Sequence, residues 1–111
     1  MDKIKYNFKN RTALITGGAQ GFGFDIAKRF LESGAKVIIW DIDPKMTEKA
    51  IKDLDNSNLS SNIVDVSNFE EVESSVNEII KNSKIDILVN NAGITGPTAP
   101  LWEYDLEMWK K

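Results

Sequence analysis

The chain predicts an α/β fold, a parallel sheet whose strands alternate with helices. Short Val- and Ile-rich runs with little polar alternation recur along the 111 residues, as strands buried on both faces require. Between them, apolar residues fall at helical spacing. The resulting order, β-α-β-α-β-α-β and the start of a helix, implies right-handed crossovers with helices on both sheet faces.

Residues 12–16, Thr-Ala-Leu-Ile-Thr, predict the first strand, closed by Gly17-Gly18. Phe22, Ile26, Ala27, Phe30 and Leu31 form a helical stripe, and Gly34 is its C-terminal stop. Residues 36–40, Lys-Val-Ile-Ile-Trp, predict the second strand, ending at Asp41. Asp43 caps a second helix with Pro44 at its first position, and Met46, Ala50, Ile51 and Leu54 turn inward. Residues 61–66 predict a third, less apolar strand. Ser67-Asn68-Phe69-Glu70 reads as a capping box, and Phe69, Val72, Val76, Ile79 and Ile80 carry a helical stripe to about Lys81. Residues 85–89, Ile-Asp-Ile-Leu-Val, predict a fourth strand, followed by Asn90-Asn91-Ala92-Gly93. Gly96-Pro97-Thr98-Ala99-Pro100 is a loop. An amphipathic segment starts near Asp105 and carries Leu106, Met108 and Trp109. No repeat, linker or second domain is visible, so residues 1–111 are expected to be one domain.

Composition narrows the function. Charged residues make up 28%, hydrophobic ones 41%, and the net charge is -3. That balance fits neither a disordered acidic tail nor a basic nucleic-acid binder. With no Cys there is no disulfide or thiolate metal site, and with no His there is no imidazole catalysis or His-bound zinc within this chain. No run approaches the roughly 20 apolar residues that span a bilayer. Met1 to Tyr6 lack the apolar stretch of a signal peptide, so a cytoplasmic protein is expected.

The chemistry is expected at the strand ends. Thr16-Gly17-Gly18-Ala19-Gln20-Gly21-Phe22-Gly23 leaves a strand and enters a helix. Gly17 allows a tight turn, Gly21 lets the main chain approach a pyrophosphate, and Gly23 lets the helix pack close to the strand. The helix N-terminus then faces the phosphates with free N–H groups and the positive end of its dipole. No Gly-Lys-Ser/Thr follows, so the segment is not a P-loop.

Asp41, 18 residues after Gly23, stands where a carboxylate accepts hydrogen bonds from an adenosine ribose, or where Asp begins a turn. Its charge argues for NAD over NADP. A carboxylate about 4 Å from a 2′-phosphate is repelled by on the order of several kcal/mol at intermediate dielectric. Asp43 deepens that field, and no Lys or Arg occurs in 17–23 or 41–43. Asp65 can accept from an adenine amino group beside Val66, or begin the capping turn before Ser67. Of the paired amides, Asn90 suits a structural tie between strands and Asn91 a ribose. Ala92 and Gly93 leave room for a nicotinamide ribose.

Taken together, Thr16-Gly17-x-x-x-Gly21-x-Gly23, Asp41, Asp65-Val66 and Asn90-Asn91-Ala92-Gly93 resemble the short-chain dehydrogenase/reductase family. The resemblance runs from about residue 8 to the end. Phe22 departs mildly from the family's usual Ile, and Trp102 and Trp109 lie where members often carry aromatics. The resemblance implies a Rossmann-like, doubly wound parallel sheet of four strands in the order 3-2-1-4, part of a larger sheet. It implies that Gly17, Gln20, Gly21 and Phe22 surround the pyrophosphate and adenosine phosphate region. Asp41 and Ile42 would then hold the adenosine ribose, Asp65 and Val66 the adenine, and Asn91, Ala92 and Gly93 the nicotinamide-side ribose. The full enzyme would move hydride between NAD and an alcohol or carbonyl carbon of a small molecule, and would be a homo-oligomer.

The family's Tyr-x-x-x-Lys pair is not in this chain. The residues four after Tyr6 and Tyr104 are Asn10 and Met108. The catalytic positions implied by the resemblance fall beyond Lys111, so the chain is expected to hold the cofactor-binding half, with no catalytic residue and no activity alone. In the order 3-2-1-4 the fourth strand is an edge, although Ile85, Ile87, Leu88 and Val89 read as a central strand. The loop 96–102 either rims a substrate pocket or is a plain connection. Two rivals share the glycine-rich turn and Asp41: a non-catalytic nucleotide-binding module, and an S-adenosylmethionine methyltransferase, which the Asn-Asn-Ala-Gly ending fits poorly.

Overall fold

The computed structural model describes residues 8–91. Seven elements alternate along them: β1 (Thr12–Thr16), α1 (Gly21–Glu32), β2 (Lys36–Asp41), α2 (Pro44–Leu54), β3 (Leu59–Ile63), α3 (Phe69–Asn82) and β4 (Ile87–Asn90). All pairings are parallel and the sheet order is β3-β2-β1-β4, as the resemblance implied. The register sets Thr16 beside Trp40 and Asn90, and Asp41 beside Ile63. The carboxyl ends of the strands therefore meet along one rim.

The two central strands are buried on both faces, which explains their near-continuous apolar runs. Ile15, Val37 and Ile39 pack with Ala27, Leu31 and Ala50 of α1 and α2. Leu14, Ile38 and Trp40 face the other way, onto Val72 and Val76 of α3. Helices thus cover both faces, the doubly wound arrangement. Helix α1 ends as Gly34 predicts. That residue has φ +90, its N–H donates to the Leu31 carbonyl and the Ala35 N–H to that of Phe30, closing a Schellman motif.

Four expectations shift. The third strand occupies 59–63 rather than 61–66. As an edge strand it is held by main-chain pairing to β2 and by the Trp40 indole N–H donating to Asn62, and its middle residues Ser60, Ser61 and Asn62 are polar. The cap of α3 is Asn68, one residue later than the capping box placed it. Its side chain accepts from the Glu71 N–H, while Ser67 is engaged by Asp65. The fourth strand starts at Ile87; just before it the Asp86 N–H donates to the Thr12 carbonyl, while the Asp86 carboxylate, rather than a main-chain carbonyl, takes the Thr12 N–H. Phe22 and Phe69 open the helical stripes in sequence yet are 79% and 49% exposed, so the buried stripes begin later, at Gly23 in α1 and Val72 in α3. Ala92, Gly93, the 96–102 loop and the segment from Asp105 lie outside the described residues.

Candidate functional site

The glycine-rich turn between β1 and α1 is fastened from three sides. From β2, the Trp40 carbonyl accepts from the N–H of Gly17 at 2.7 Å and of Gly18 at 3.3 Å. From the end of β2, the Asp41 carboxylate accepts from the Ala19 N–H through Oδ2 at 3.2 Å and from the Asp43 N–H through Oδ1 at 3.0 Å. From just past β4, the Asn91 side-chain amide donates to the Gly17 carbonyl at 3.3 Å.

The glycines separate by role. At Gly23 a Cβ would lie 2.1 Å from the Gly17 carbonyl oxygen and 2.7 Å from Asn91 Nδ2, so only glycine allows α1 to start against the turn. At Gly21, φ is +60 and a Cβ would meet nothing within 4 Å. Its main chain borders open space, where an approaching group would meet amides first.

Helix α1 begins there without a cap. Gln20 offers no side-chain hydrogen bond and the first turn has no acidic residue. By contrast α2 and α3 are both capped, by Asp43 and Asn68. The N–H groups of Gly21, Phe22 and Gly23 have no acceptor among the described residues. A turn of free N–H groups at the positive end of a helix favours an anion.

Around that turn stand the other residues singled out by sequence. Asp41 is buried and its neighbour Ile42 is exposed. The Asp65 carboxylate accepts from the Ser67 hydroxyl at 2.6 Å and the Ser67 N–H at 2.9 Å. Those two bonds hold it below the usual carboxylate range. Asp65 therefore does form the turn before α3. Val66 packs against the core from the loop beside it. Asn90 and Asn91 both tie strands together. Thr16 Oγ1 lies 3.0 Å from Asn90 Oδ1, to which it donates, and accepts from the Asn91 N–H at 2.9 Å.

Gly18 and the Thr16 side chain stand in the sequence motif without a role of their own. A Cβ on Gly18 would lie 2.5 Å from Ile39 Cγ2, so Gly18 is set by packing rather than by a ligand. Thr16 is fully buried, and a buried hydroxyl at the last position of an apolar strand is the signal that a bond awaits it. A shallow groove of about 330 Å³ beside α3, lined in part by Ile63, Glu70 and Glu71, includes none of these residues except the α3 cap Asn68. Among the described residues no group of three or more His, Cys, Asp or Glu could hold a metal ion.

A family model described as short chain dehydrogenase matches residues 11–111. The chain belongs to the short chain dehydrogenase family. It is 43% identical over 90 residues to the 3-oxoacyl-[acyl-carrier-protein] reductase FabG of Chlamydia muridarum, covering 78% of this chain and 36% of that protein. It is 30% identical over 105 residues to the 2-dehydro-3-deoxy-L-rhamnonate dehydrogenase (NAD(+)) of a Sphingomonas strain, covering 94% and 41%. Among solved structures, the Pseudomonas aeruginosa RhlG/NADP active-site complex superposes with a TM-score of 0.74 at 30% identity, covering 96% of this chain and 42% of that one. The chain thus spans less than half the length of these family members.

Proposed function

We propose that this chain is the dinucleotide-binding part of an oxidoreductase that transfers hydride between NAD and an alcohol or carbonyl carbon of a small molecule. The observation that carries the reading is the uncapped start of α1, opening beside the carboxylate that ends β2. When bound, NAD supplies the hydride acceptor or donor. The residues here bind and orient it. Gly17, Gln20, Gly21 and Phe22 surround the diphosphate, largely through main-chain N–H groups, and Gly23 brings the helix close enough for them to converge. Asp41 accepts from the adenosine ribose hydroxyls, flanked by Ile42. Asp65 and Val66 border the adenine, and Asn91, Ala92 and Gly93 the nicotinamide-side ribose.

NAD is preferred over NADP because Asp41 is buried in main-chain N–H groups and no Lys or Arg pairs with it among the described residues, so a 2′-phosphate would meet an unneutralised carboxylate. No residue of this chain is assigned a catalytic role, and the 111 residues alone are expected to be inactive. The whole enzyme is read as a cytoplasmic homo-oligomer acting on a small molecule, with neither nucleic acid nor membrane as partner. No helix of the described residues is long and apolar enough to cross a membrane.

Calorimetric titration with NAD and with S-adenosylmethionine tests the reading. Binding of NAD alone supports it. Binding of S-adenosylmethionine alone would replace it with the methyltransferase reading.

A further inference from the structure

Asp41 is 6% exposed and both of its carboxylate oxygens are committed to main-chain donors in different turns. Oδ2 takes the Ala19 N–H, in the middle of the glycine-rich turn, and Oδ1 takes the Asp43 N–H, at the cap of α2. The residue before it, Trp40, accepts from Gly17 and Gly18 of the same turn. The end of β2 therefore supplies acceptors to three successive N–H groups of the turn, and the carboxylate supplies the last of them.

We infer that Asp41 is a positioning residue as well as a ribose ligand: its carboxylate clamps the turn after β1 to the turn after β2, and the diphosphate cradle depends on that clamp. The inference rests on the dinucleotide reading above. Only a side chain with two acceptor oxygens on a short stem can hold both N–H groups. Asn would accept one and present an amide donor to the other. Without the clamp, Ala19 loses the acceptor that fixes it, and the next residues are Gln20 and Gly21, where the free amides begin.

Clamp and charge make opposite predictions for an anion without ribose. If Asp41 acted on anions only through its negative charge, neutralising it would tighten their binding. If it holds the cradle, the same change loosens it.

The test uses the chain labelled with nitrogen-15, as wild type and as Asp41→Asn. Without ligand, the Ala19 amide should be protected from hydrogen exchange in the wild type. It should exchange roughly ten- to hundredfold faster in Asp41→Asn, the range expected for a bond to a charged acceptor. With ligand, Asp41→Asn should bind inorganic pyrophosphate and ADP more weakly than wild type. Unchanged Ala19 exchange, or tighter pyrophosphate binding, overturns the clamp. If the wild type binds neither probe while Ala19 still loses protection, the dinucleotide reading fails, and the cradle falls with it. Should Asp41→Asn not fold, the wild type still decides the matter. A scalar coupling across the hydrogen bond from the Ala19 nitrogen to the Asp41 carboxylate carbon supports the clamp, and its absence refutes it.

Discussion

At Gly23 a single hydrogen atom separates a working turn from a blocked one. Gly23→Ala would press a methyl group onto the Gly17 carbonyl, a main-chain atom that cannot rotate away. We expect a loss of about 3 kcal/mol, the upper end for overpacking, read by chemical denaturation. Thr16→Val should cost about 1–3 kcal/mol, since it strands the Asn91 N–H, and Thr16→Ser should restore most of it. Asp41→Ala, in a polypeptide long enough to turn over, should relax the preference for NAD over NADP. An unchanged ratio of kcat/KM for the two would remove the ribose role. The glycines were legible because their spacing is fixed by the turn they make. The Thr16 hydroxyl was not, because its partners lie 74 and 75 residues away, at the end of β4 and just past it.

At the scale of elements, β1 and β2 were readable to within a residue because burial on both faces keeps their middle positions apolar, Ala13 to Ile15 and Val37 to Trp40. Strand β3 lies two residues earlier at its start and three at its end than expected, because Leu-Ser-Ser-Asn-Ile carries no such pattern; its position is set by pairing with Val37 through Asp41. The start of β4 depends on Asp86. The Thr12 N–H holds that carboxyl below its ordinary value, burial works against this, and Lys84 and Arg11 add to the lowering. A carboxylate depressed in the folded state stabilises fully above its unfolded pKa, about 4, and loses that contribution as pH falls through the folded value. The Tm gap between wild type and Asp86→Asn should therefore be widest near neutral pH and close below about pH 4. A gap that persists in acid would show that shape rather than charge anchors the strand.

For the whole molecule, the sheet brings its candidate residues to one rim because all four strands run parallel. Thr16, Asp41 and Asn90 end neighbouring strands, so motifs far apart in sequence share one rim. That convergence could be anticipated from the alternation of elements. The fastening of the turn by the Trp40 carbonyl could not, because it uses main-chain groups that any residue type provides. Strand β4 pairs only with β1 among the described residues, and its side chains are half-buried. The pure 111-residue chain should show no dehydrogenase turnover with NAD and simple alcohols, since neither of its tyrosines is followed four residues later by Lys. Turnover above background would require a proton-transfer group within this chain.

The central claim is that main-chain amides at the start of α1 receive the diphosphate of NAD. An amide-resolved NMR titration of the chain with NAD tests it most directly. The account predicts saturable shifts centred on Gly21, Phe22 and Gly23, with smaller ones at Ala19 and Asp41. Saturation without movement of those three amides, or shifts confined to the groove beside α3, would contradict it.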